Sequence, residues 1–208
     1  MGSNASAAAA FELDASPHGL VDEQHHHELV VKDLGIEDFT LLKKVGQGAF
    51  AAVWMAKKRR DGALVAVKIQ EKAHITRARR VEAVVAERDI LATLQHPFIV
   101  RLLYAFQNYE NIYLVLTWVD GGDLFMLMDE LARPFTEEES KFYSGEVLLA
   151  LEHLHANAIV FRDLKPENVL CGSDGHIMLT DFGLALYDEP FPNNNETTTD
   201  KVAARPSS

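Results

Sequence analysis

Residues 161–183, F-R-D-L-K-P-E-N-V-L-C-G-S-D-G-H-I-M-L-T-D-F-G, constrain this chain more than any other stretch. Two short polar sequences, Asp163 to Asn168 and the D-F-G that opens at Asp181, flank an apolar run and an S-D-G-H turn signal. The patterns D-x-x-x-x-N and D-F-G place two carboxylates, an amide and the ammonium of Lys165 on one hairpin-sized segment. Hard cations such as Mg²⁺ take oxygen ligands, which Asn168 and Asp181 carry, and Asp163 stands beside them as a candidate base. Such a set suits phosphoryl transfer, where positioning and cation clamping do most of the catalysis. Either motif alone would pass for a surface turn. Both in this order, with an apolar strand leading into the second, carry the weight.

Upstream lies a second arrangement with the same chemistry. Phe39 to Val45 reads as a strand, Gly46-Gln47-Gly48-Ala49-Phe50 as a glycine loop, and Val53 to Ala56 as a returning strand. Strand, glycine loop, strand lays backbone N–H groups over phosphates, with Phe50 at the tip. Ala51 stands where a third glycine would complete the pattern, and its methyl group restricts the loop slightly. Asp61-Gly62 signals a hairpin, and Ala63 to Ile69 follows as an apolar strand with Lys68 in its middle. A lysine there is costly unless its ammonium finds a partner. The spacing of Val81, Val84, Val85, Ile90, Leu91 and Leu94 predicts a helix over 76–95, with Glu87 between them. The cations Arg77, Arg79 and Arg80 at its start oppose the helix dipole and read as a solvated face, with phosphate or an acidic partner as the alternative.

These motifs resemble a eukaryotic-type protein kinase, and the K-P-E-N wording resembles the serine/threonine branch. A-E-R-D-I-L followed by Q-H-P-F-I-V-R-L narrows the resemblance to the AGC group. The implied fold is α+β and bilobal, kinase-like, with a five-stranded antiparallel small lobe carrying one helix and the first, mainly helical half of a large lobe. The implied organisation is a mobile arm over 1–37, the small lobe over 38–116, a hinge over 117–123, a partial large lobe over 124–188, and a polar activation-loop-like tail over 189–208. The expectation is a scaffold incomplete at its C-terminal end, lacking the usual F-C-G-T and A-P-E sequences.

The resemblance also assigns roles. Asp163 would accept the substrate hydroxyl proton, with Lys165 beside the transferring phosphate as a point charge. Lys68 would bind the α- and β-phosphates of ATP and pair with Glu87, while Asn168 and Asp181 hold Mg²⁺. Gly46, Gln47, Gly48, Ala49 and Phe50 would cover the phosphates. Val53, Ala66 and Leu170 would enclose adenine, Leu116 would guard the back pocket, and Thr117 and Val119 would lie at the hinge. Asp123 would meet the ribose, and Glu167 and Thr180 complete the nucleotide set. Leu91, Leu102, Phe161 and Phe182 would form an apolar column between the lobes. Past the helix, His96-Pro97 ends it and another strand begins. Thr136 with Glu139 is a capping box for a helix whose apolar stripe is Phe142, Val147, Leu148, Leu151 and Leu154.

Composition narrows the class further. The formal charge of −11 in 208 residues argues against a nucleic-acid surface. No apolar run is long enough to span a bilayer, and no secretory-type segment opens the chain. A single cysteine, Cys171, fits a reducing compartment, so a cytoplasmic location is expected, with nuclear or peripheral membrane residence as alternatives. Gly2 with Ser6 matches the N-myristoylation pattern, and one acyl chain would give weak membrane contact. His25, His26 and His27 read as solvated residues rather than a metal site. The activity that the resemblance implies is ATP-dependent phosphorylation of serine or threonine in proteins, with a basic peptide as substrate because Asp123 and Glu167 leave acids near where an AGC kinase receives arginines. The alternative is a catalytically silent fragment that binds nucleotide or a regulator.

Overall fold

A computed structural model describes residues 34–188. The N-terminal arm beyond it, including Gly2 and His25 to His27, and the tail from residue 189 lie outside the described residues.

The small lobe is built on an antiparallel sheet of order β1-β2-β3-β5-β4. Its strands are β1 (Phe39–Gln47), β2 (Ala51–Lys58), β3 (Leu64–Glu71), β4 (Leu102–Gln107) and β5 (Asn111–Thr117). Alternation along β3 sorts its side chains. Val65 and Val67 are buried with Phe39, Ala56, Tyr113 and Val115 on the outer face of the sheet, whereas Ala66, Lys68 and Gln70 line the cavity on the inner face. Strand β5 is buried on both faces, Leu114 and Leu116 joining the core that continues into the large lobe. Leu34 and Ile36 pack against the outer cluster, so the packing of the lobe includes residues before 38.

Two helices follow β3 where one was expected. Helix α1 (Lys72–Arg77) and helix α2 (Val81–Thr93) are separated by a turn in which Arg79 adopts φ 54°. The helix expected over 76–95 therefore starts late, because burying Ile75 against Val84 and Ile112 turns the chain between them. The next strand also starts later than expected. Residues Phe98 to Val100 instead reach the other lobe, where Leu179 N donates to Phe98 O (2.8 Å) and Val100 N to Leu179 O (3.0 Å).

The large lobe contributes α3 (Leu124–Leu131), α4 (Glu137–Ala156), β6 (Ile159–Val160), β7 (Val169–Cys171), β8 (Ile177–Leu179) and β9 (Leu186–Tyr187). Thr136 Oγ1 accepts from Glu139 N at 3.2 Å and Thr136 N donates back to Glu139 Oε2 at 2.7 Å, the reciprocal cap the sequence predicts. The predicted stripe of α4 holds at Leu154 in the core and at Val147 and Leu151 packed against it, and fails at Phe142 and Leu148. Glu146, Ala150 and Leu154 point inward, while Phe142 and Leu148 face out, Leu148 being 66% exposed. Glu146 takes a core position because Ile177 N donates to its Oε2 (2.9 Å) and His176 Nδ1 lies 2.5 Å from its Oε1. Among the described residues no helix is long and apolar enough to cross a membrane.

Two outcomes follow from α4. Leu154→Ala should lose about 2–5 kcal/mol in urea unfolding, whereas Leu148→Ala should stay within roughly 0.5 kcal/mol; equal losses would contradict this orientation. The hydrogen bond and charge of Glu146 hold the His176 pKa above the ordinary 6.5. A raised folded-state value stabilises fully below the unfolded pKa and is lost as pH rises through the folded one. Thermal stability should thus decline with pH above about 6.5, and His176→Gln should flatten that slope, as melting curves at stepped pH would register.

Candidate active site

One cavity of about 970 Å³ opens between the lobes. It is lined from above by the β1–β2 loop, β3 and α2, from behind by residues 116–123, and from below by the two polar loops around β7 and β8. The hinge is held close to its floor. Gly121 N donates to Cys171 O (2.9 Å) and Cys171 N to Gly122 O (2.8 Å). A methyl group at Gly121 would collide with the Cys171 carbonyl, and Gly122 at φ 80° favours a residue without Cβ.

The roof carries an ion triad. Lys68 Nζ lies 2.6 Å from Glu87 Oε1 and 3.0 Å from Asp181 Oδ1. Glu87 is placed by helical spacing with Val84, Ile90 and Leu91 on the buried face of α2, its side chain 2% exposed. Gln70 Nε2, two residues beyond Lys68 on the same strand face, donates to its Oε2 at 3.4 Å. Burial works against the Lys68 charge, yet Glu87 and Asp181 outweigh it and raise its pKa. For Asp181 burial opposes ionisation, but Lys68 prevails and lowers its pKa. Asp181 also holds φ 60°, a strained conformation for a non-glycine residue of the kind that gathers at functional sites.

The floor carries a second cluster. Lys165 Nζ is 2.8 Å from Asp163 Oδ2, and Asn168 Nδ2 donates to both Asp163 O and Asp163 Oδ2 at 2.9 Å. With its Nδ2 on Asp163, the Asn168 amide turns its oxygen the other way. Asn168 is itself buried, and Thr180 N donates to its backbone carbonyl (3.0 Å), tying the two loops together. Phe161 and Phe182 meet edge to face at 5.0 Å beneath. Leu91 and Leu102 belong to the same buried cluster as this aromatic pair.

Every residue singled out from the sequence for nucleotide, metal or catalysis lines this cavity except Lys165, which joins it through Asp163. Asp123 does so while its Oδ1 caps α3 by accepting from Met126 N (2.8 Å). Sequence reasoning left out Val45, Val100 and Met126, whose apolar side chains carry no signal beyond core or loop, and misplaced Arg80. That arginine is no solvated residue: it donates to Gly183 O (3.2 Å) and lies over Phe50. Among the described residues no group of three or more His, Cys, Asp or Glu is placed to hold a metal ion. An ion between the loops would rest on Asn168 and Asp181, an amide and a carboxylate, a donor set that suits Mg²⁺ bound mainly by phosphates and water.

The protein kinase domain model matches residues 39–203. The chain is 49% identical over 150 residues to the probable serine/threonine protein kinase IRE of Arabidopsis thaliana, covering 72% of this chain and 13% of the relative. It is 44% identical over 151 residues to the RAC family serine/threonine-protein kinase homolog of Dictyostelium discoideum (73% and 34%). It is 45% identical over 168 residues to human ribosomal protein S6 kinase alpha-2 (79% and 23%). The chain thus spans at most about a third of the length of these relatives.

Replacing Lys68 alone strands a buried carboxylate. Lys68→Met should cost roughly 3–5 kcal/mol, and Lys68→Met with Glu87→Leu should recover most of it. Urea midpoints decide; a double variant as unstable as the single one would remove the buried pair from this account.

Proposed function

The chain belongs to the protein kinase family, in its AGC serine/threonine group, and from that premise we propose that it transfers the terminal phosphoryl group of ATP to serine or threonine hydroxyls of proteins. The observation that carries this reading is the meeting of Lys68 with both Glu87 and Asp181 across a cleft, 19 and 113 residues away along the chain.

Roles follow from position. The apolar side chains of Val53, Ala66 and Leu170 enclose adenine, Leu116 closes the back, and the backbone at Thr117 and Val119 meets its edge. Asp123 and Glu167 serve the ribose side, with Thr180 beneath. The backbone of Gly46 to Phe50 covers the phosphates, and Lys68, locked by Glu87, neutralises charge on the α- and β-phosphates. Bound Mg²⁺ supplies charge neutralisation at the phosphates, and Asn168 and Asp181 are the residues to hold it. Asp163 takes the proton of the attacking hydroxyl. Asn168 and Lys165 fix its carboxylate and limit its rotation. Lys165 lies beside the transferring group, where its charge offsets what develops.

A basic peptide is the substrate we propose, with arginine upstream of the target, received by Asp123 and Glu167. We place the reaction in the cytoplasm, with membrane contact only if Gly2 is acylated.

The test is phosphate transfer by residues 1–208 to arginine-containing and arginine-free peptides with Mg²⁺ and ATP. Asp181→Ala should abolish it, Asp163→Asn should lower it by about 10²–10⁴-fold, and arginine-free peptides should be poorer substrates. Transfer persisting in Asp181→Ala would overturn the reading.

A further inference from the structure

Arg80 occupies the N-cap of α2, a position that favours Ser, Thr, Asp or Asn. Its side chain makes no capping bond, and its charge faces the positive end of the helix dipole. What it does instead is reach across the cavity. One terminal nitrogen donates to Gly183 O at 3.2 Å, and the guanidinium carbon lies 5.3 Å from the centre of the Phe50 ring. Its backbone carbonyl accepts from Val84 N (3.1 Å), so the same residue opens the helix that carries Glu87.

Gly183 is packed against the ion triad. A Cβ there would lie 3.4 Å from Asp181 Oδ1, 3.7 Å from Glu87 Oε2 and 3.9 Å from Lys68 Nζ. Arg80 therefore touches the tip of the phosphate loop and the segment that positions Asp181 while starting the helix that positions Glu87. A planar cation is suited to this, because it donates in its plane and stacks with its face.

Resting on the kinase reading, we propose that Arg80 is a positioning residue for phosphoryl transfer: it latches the Phe50 tip of the β1–β2 loop to Gly183, so that the loop closes over phosphates only when Asp181 is seated beside Lys68. Arg80→Met removes both contacts, Arg80→Lys keeps a cation near the ring, and Phe50→Leu removes the ring alone.

Measurements of exchange, nucleotide binding, turnover and melting on the 208-residue chain test this. In amide hydrogen exchange without nucleotide, Arg80→Met should speed exchange at least threefold at both 47–52 and 183–185, and adding Phe50→Leu should add nothing further in the loop. In titrations with Mg²⁺ and a fluorescent ATP analogue, Arg80→Met should raise Kd about 3–10-fold, Arg80→Lys less, and the Arg80→Met, Phe50→Leu pair no more than Arg80→Met. In turnover the loss should fall on KM for ATP rather than on kcat, with the melting temperature unchanged; a merely structural arginine would lower kcat and melting temperature together. Additive Kd effects, or exchange unchanged at either segment, would overturn the latch. Wild-type binding with an unaltered Arg80→Met overturns the positioning role alone, whereas a wild-type chain that binds no nucleotide overturns the kinase reading and the role together.

Discussion

The contact of Lys68 with Glu87 and Asp181 is the constraint on which the rest of the molecule depends. Removing a carboxylate and an ammonium from water costs several kcal/mol each, and their attraction returns about as much only when geometry is good and further hydrogen bonds are made. At 2.6 Å, with Gln70 at the second oxygen, Glu87 meets that condition. Such a pair is a poor device for stability, since apolar residues of similar volume would serve as well. Its use is positional. Three charges contributed by β3, α2 and the D-F-G loop can coexist only if the lobes are closed to one relative placement, and that placement holds a cationic group over the cleft.

Apolar packing makes the same placement possible from below. Phe182 follows Asp181 directly, so burying its ring against Phe161 aims the carboxylate at Lys68. Leu91 lies one helical turn beyond Glu87 and joins the buried cluster that holds both rings. A shift of α2 would break an ion pair and open a void in the core at once, and close-packed interiors do not deform gradually. Asp181 can hold its left-handed backbone because it is over-determined from both sides.

How much of this was legible beforehand depends on the range of the interactions. Lys68 announces itself because a charge in an apolar run needs a partner, whereas Glu87, Asp163, Asn168 and Asp181 are legible through motifs that resemble those of protein kinases. The break between α1 and α2 has no glycine or proline to mark it; Arg79 takes φ 54° because Ile75 and Val84 are buried on either side of the turn. Hydropathy likewise missed part of the inner face of α4, placing Phe142 and Leu148 there and leaving out Glu146. Glu146 is buried because its partners lie 30 and 31 residues away on the β7–β8 hairpin, and Leu148 is displaced outward by the same rotation. Arg80 was misread for a related reason: its unfavourable place at a helix start is visible locally, but the carbonyl that compensates it is 103 residues distant.

The attachments between the lobes also say how they can move. Backbone hydrogen bonds join them at Gly121 and Gly122 to Cys171, and at Phe98 and Val100 to Leu179. Ser173 N reinforces the first of these attachments by donating to Asp120 Oδ1 at 2.9 Å. Cys171 and Leu179 lie on adjacent strands of one hairpin, in which Cys171 pairs with Ile177 and Val169 with Leu179, so the attachments share a single narrow support. Two fixed points on one side of a cleft define an axis. Rotation about it changes the distance between the β1–β2 loop and the metal-binding loop, and in the described residues Lys68 reaches Asp181 and Arg80 reaches Gly183 across that gap. Opening is therefore resisted at the front by the Lys68–Asp181 ion pair and the Arg80–Gly183 hydrogen bond rather than by the hinge, and a ligand that supplies negative charge between the lobes acts where leverage is greatest.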